Sequence, residues 1–184
     1  MKKLVATLIA TSMLVGMGTV SAQASHDVTV TIPQVMMIRI VDDSNVAASN
    51  PGVIFDIDAD AYAALFDNDG TGGRLPSTSA PNFGDVTVFS TASWRVNVSA
   101  SETDDEWEGL SLADITVEPS RAPGTNVNRN LDVWSLATTA NLFNGTATRG
   151  WRSLGFSGTD YLLTVDGRES GSYTASVTYT IAAP

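Results

Sequence analysis

The chain has 184 residues, 43% of them hydrophobic, with 20 carboxylates against 10 lysines and arginines, a net charge of −10 and no cysteine. That balance argues against nucleic acid and anionic lipid headgroups as partners, since both are bound by cations that displace counterions from phosphate. Without cysteine there is no disulfide and no cysteine-based metal site, so the core must hold by packing, which a chain of this length can supply.

At the start, Lys2 and Lys3 precede an apolar run from Leu4 to Met17 and then the small residues Val20 to Ala24. This is the order of a secretory signal, with cleavage expected after Ala24. The run of roughly 14 apolar residues is shorter than the ~20 that span a bilayer, so no transmembrane helix is expected in the mature chain. Removing residues 1–24 takes both lysines with it and leaves eight arginines against 20 carboxylates, a balance of −12. Residues 25–184 are expected to form one domain, exported to the periplasm, the cell surface or the extracellular space.

Apolar and polar residues then alternate with period two, which puts one set in a core and the other in water. Val28, Val30 and Ile32 alternate with Thr29 and Thr31; this segment is expected to be the domain's own first strand. After Pro33, Val35 to Val41 is apolar on both faces except for Arg39, as in a strand covered on both sides. Further strands are expected at 53–57, 85–90, 94–100, 115–118, 132–136, 142–148, 151–156, 160–165 and 173–181, most of them rich in Val, Thr and aromatics and fenced by Gly, Pro, Asn or Asp. One short helix is expected over Asp60 to Phe66, where Tyr62, Leu65 and Phe66 share a face. Asp166-Gly167 and Gly171 predict a long-looped hairpin joining the last two strands. The pattern is that of an all-β, Ig-like antiparallel sandwich of about 8–10 strands with one helix in a loop.

Trp94, Trp134 and Trp151 fall in β-like segments and are expected to pack between sheets. Trp107, inside the acidic run Glu102 to Glu108, is expected on an exposed loop and is a candidate ligand-binding residue for a sugar ring. Asn97-Val-Ser99 and Asn144-Gly-Thr146 fit the glycosylation tripeptide and are assigned no role.

Catalysis is disfavoured by inventory. The only histidine, His26, lies two residues from the expected new terminus, where no triad can hold it in place. Carboxylate pairs that hydrolyse glycosides are defined in space and leave no sequence motif; with no other signature, the chain is expected not to be an enzyme and to carry no cofactor. Calcium is the one metal with a pattern. Asp56, Asp58 and Asp60 stand at positions 1, 3 and 5 of a Ca²⁺ loop with Asp67 at 12, and a second register begins at Asp67 with Asp69 as a ligand. Both are incomplete, since Ala61 replaces the turn glycine in the first and the second has no acid at its end.

The C-terminal run Gly171-Ser-Tyr-Thr-Ala-Ser-Val-Thr-Tyr-Thr-Ile181 resembles the closing strand of secreted bacterial Ig-like envelope proteins, including fimbrial subunits and spore-coat-U-like proteins. Gly171 is fourteenth from the end, where pilins assembled by a chaperone and usher keep a glycine; Ala183 stands where those subunits have tyrosine. With the Trp94 strand, the resemblance covers about 30 residues. It implies a structural or adhesive protein of the cell envelope, a filament or surface-layer subunit whose partners are other surface proteins or itself. It also implies a second use for Asp27 to Ile32, as a strand donated to a neighbour's sheet. The alternative is an extracellular module that binds polysaccharide or calcium.

Overall fold

The computed structural model describes residues 29–66, 73–103, 110–165 and 171–184. The chain divides after Ile32 into Met1–Ile32 and Pro33–Pro184. In the first part, residues 29–32 carry no regular structure, with Val30 75% and Ile32 76% exposed.

Among the described residues the second part is all β apart from one short α-helix and two 3-10 turns. Its strands are β1 (Met36–Val41), β2 (Gly73–Pro76), β3 (Asp85–Ser90), β4 (Trp94–Glu102), β5 (Ile115–Val117), β6 (Val127–Arg129), β7 (Trp134–Ser135), β8 (Ala140–Gly145), β9 (Arg152–Ser153), β10 (Tyr161–Val165) and β11 (Ala175–Ala182); the helix α1 is Ala59–Ala64. They form three antiparallel sheets, ordered β1-β3-β9, β2-β10-β5-β7 and β11-β4-β8-β6. The all-β sandwich expected from the alternation is therefore present.

Alternation explains most of what each strand buries. In β4, Trp94, Val96 and Val98 are buried while Arg95 and Ser99 are exposed. In β8 the register slips against β4 between Val96 and Asn97, and both Leu142 and Phe143 turn inward. A bulge is the local device that allows two neighbours to share one face. The inward residues of all three sheets join in one core centred on an aromatic cluster. Phe156, fully buried, stacks on Phe143 at 5.8 Å and meets Trp134 edge-on at 5.4 Å.

Several expectations are corrected. Residues 29–32 are not a strand of the fold; the chain enters β1 instead through a clamp in which Val35 N donates to Thr91 Oγ1 and Thr91 N donates to the Val35 carbonyl. The last two strands do not form a hairpin. Both flanks of β10 are occupied, by β2 and β5, so β11 pairs with β4 in another sheet. Val53 to Ile57 makes only a bridge from Ile54 to Ser79, although its burial still alternates. Trp94 and Trp134 are core residues, but Trp151 lies on the outer face of the β1-β3-β9 sheet. There the Arg39 guanidinium sits 4.0 Å from the ring centroid of Trp151 and Phe89 stands 6.0 Å away. Strands β2 and β6 have no counterpart in the expectation: they are three to four residues long and rich in Gly, Pro, Asn and Arg.

Candidate functional site

Two sheets end beside each other without joining. Among the described residues, β1 is the outer strand of one sheet and β11 of another, and the two run close together with no ladder between them; the outer flank of β1 is taken only at its end, where the Ile40 carbonyl accepts the Ala48 N–H and Val41 bridges to Ala47. An edge strand with free N–H and C=O groups is a template for another strand.

Beneath this gap lies a cavity of about 1000 Å³. One wall is the inward face of β11, where Ala175, Val177 and Tyr179 are only half-buried. The opposite wall comes from β10, through Tyr161, Leu163 and Val165, with Ile115 of β5 beside them. Ile40 at the end of β1 and the segment 51–58 close the third side. That segment contributes Val53, Phe55 and Ile57 inward and keeps Asp56 and Asp58 at the exposed lip. The lining combines alternate apolar residues from successive strands with a polar part from Asp56, Asp58, Ser172, Tyr173 and Thr174.

At the floor, the hydroxyls of Tyr161 and Tyr179 hydrogen-bond to each other at 2.5 Å and join β10 to β11 across the sandwich. One hydroxyl donates and the other accepts, so this bond uses a single O–H of the two. Burial pushes the Tyr161 phenol up to about 12, and burial with the neighbouring phenol pushes Tyr179 well above its ordinary value of 10. Tyr179 counts as half-buried only because one side of its ring faces the cavity.

This pair predicts an alkaline transition. Below pH 10 both phenols are protonated in the folded and unfolded chain, and stability does not depend on them. Above pH 10 the unfolded chain loses protons that the folded one keeps until about pH 12, so stability falls as pH rises through that window. For Tyr161 alone the loss is on the order of 2 kcal/mol. Melting curves from pH 8 to 12 should show the native chain declining against Tyr161→Phe/Tyr179→Phe, in which neither hydroxyl is left alone. Parallel curves would dismiss the pair as the cause.

Asp58 caps α1, its carboxylate accepting the Ala61 N–H at 2.7 Å, while Asp60 lies in the first turn and Asp56 is exposed ahead of it. Among the described residues, no three His, Cys, Asp or Glu side chains stand together as a metal site. Asp67, Asp69 and Trp107 lie outside the described residues. The cavity residues were legible as strand residues; that β11 would be an outer strand, with Val177 and Tyr179 lining an opening, depends on pairings between distant segments. Comparison with protein-family models, with curated proteins and with solved structures finds no match.

Proposed function

We propose that this chain is an exported, non-catalytic structural subunit of a cell surface, and that copies join by strand addition. The cavity between β1 and β11 of one copy receives the segment Asp27 to Ile32 of the next. The observation that carries this reading is the largely apolar cavity along the inward face of β11, an outer strand with no ladder on its second flank among the described residues. The donor segment supplies what such a site takes. Residues 29–32 carry no regular structure, and Val28, Val30 and Ile32 recur in the sequence at the period of alternate pockets along a strand. Val30 and Ile32, both largely exposed, would lose their contact with water on insertion. Head-to-tail joining of this kind does not close on itself and produces filaments. The signal-like residues 1–24 and the resemblance of Gly171 to Ile181 to the closing strands of envelope proteins agree with that role.

Size exclusion and negative-stain microscopy of the mature chain test it. The native protein should form oligomers or fibres, and Val30→Asp/Ile32→Asp should remain monomeric. A synthetic peptide of residues 25–34 should then raise the melting temperature of that monomer by occupying the vacant cavity. A native chain that stays monomeric at every concentration, or a double variant that assembles as the native does, would sink the proposal.

A further inference from the structure

The outer face of the β11-β4-β8-β6 sheet differs from the rest of the molecule. Along β11 the outward residues are Ser176, Thr178 and Thr180, all exposed. Directly opposite on β4, Ser101 pairs with Ser176, Ser99 with Thr178 and Asn97 with Thr180, and Arg95 follows. Asn97 in turn faces Asn141 on β8, and Arg95 faces Asn144, which is paired with Asn128 on β6. The outward positions of these four strands are therefore amides and hydroxyls, with one arginine and, opposite it at the end of β11, Ala182. In a mature chain of net charge −12 none of these outward positions is a carboxylate.

The amides are also organised. Asn128 Nδ2 donates to Asn144 Oδ1 at 3.2 Å, Asn144 Nδ2 donates to Asn130 Oδ1 at 2.7 Å, and Asn130 Nδ2 donates to the Asn141 carbonyl at 3.1 Å. Each amide has two N–H donors and an oxygen with two lone pairs, so this chain fixes the orientation of all three and leaves donors and acceptors over. Asparagine is depleted in strands because its side chain competes with the backbone. Its repetition here is therefore not explained by strand formation.

We infer that this face binds a neutral polysaccharide. Neighbouring sugar hydroxyls each donate and accept, which a fixed amide matches with an N–H and an oxygen side by side. The other occupants fit less well. An anionic polymer needs a cluster of cations and finds Arg95 alone; a cationic one needs carboxylates and finds none at these positions. A second protein copy needs an apolar centre, and the face has none. From strand spacing and rise the face measures ~14 by ~20 Å, the scale of an oligosaccharide rather than of one ring. This site is on the opposite side of the sheet from Val177 and Tyr179 and does not depend on assembly through the cavity.

Affinity electrophoresis of the mature chain in native gels containing laminarin, mannan or dextran, with alginate as the anionic comparison, tests the inference. The native chain should be retarded by at least one of the three neutral polymers, and the retardation should survive a rise in salt. Asn128→Ala/Asn144→Ala should weaken it at least tenfold while the melting temperature, measured alongside, shows the fold retained. Asn97→Asp, which keeps the size of the side chain and adds a carboxylate, serves as the second variant and should also weaken it. Unchanged mobility in all three neutral gels, retardation by alginate alone, or native-like retardation of both variants would overturn the inference.

Discussion

Phe156→Ala should lower the stability of the fold by about 3–5 kcal/mol, the range for removing a fully enclosed aromatic ring. Phe156 has no exposed surface, and its ring meets residues of two different sheets. It stacks on Phe143 of β8, meets Trp134 of β7 edge-on, and touches the rings of Phe83 and Tyr179 at 6.2 and 5.7 Å. Truncation therefore opens a void bordered by residues from separate sheets, none of which can move into it without dragging its strand. A loss of this size is a large fraction of the 5–15 kcal/mol typical of a domain. Urea denaturation followed by tryptophan fluorescence would measure it. A midpoint close to native would mean that the rings collapse into the gap, and that the cluster is less rigid than its geometry implies.

Gly145→Ala should be the second large effect, and it acts by crowding rather than by loss. At the end of β8 a methyl group would press on the carbonyl oxygen of Asn126 and lie 2.5 Å from Trp94 Cζ2. Neither neighbour can yield easily. The Asn126 backbone leads into β6, and Trp94 is wholly buried with its indole N–H donated to the Thr146 carbonyl at 2.9 Å. Overpacking of this kind costs about 1–3 kcal/mol and occasionally more. Thermal melting should show a lower midpoint for Gly145→Ala, with Gly52→Ala as the control, because a methyl there meets only Pro81 Cγ at 3.8 Å. An equal response of the two variants would contradict the crowding at Trp94.

The strands most clearly legible in the sequence were those with sustained alternation. Trp94 to Ala100 and Tyr173 to Ile181 overlap β4 and β11, and their buried rows are the ones the alternation names. Local chemistry could also place a helix near Asp60, because an aspartate at the first turn and apolar residues at helical spacing act within a few residues of each other. What failed was everything set by distant partners. Val53, Phe55 and Ile57 alternate as a strand does, yet the segment forms a single backbone bridge, from Ile54 to Ser79, so burial periodicity persists without a ladder. The hairpin failed because the sequence does not reveal that both sides of β10 are taken. Trp151 looked like Trp134 in composition and context, but the parity of β9 turns it outward onto Arg39. The cavity was invisible for the same reason, since an opening is a property of which strands stop pairing.

The pairing of β11 with β4 sets Val177 against Ala100 and Ile181 against Val96, joining the final strand to one made much earlier in synthesis. Closing so long a loop is entropically unfavourable until the whole ladder forms at once. Folding must therefore finish late: until residues 175–182 have been synthesised, Val96 and Val98 lack one neighbouring strand, and the β11-β4-β8-β6 sheet stays incomplete.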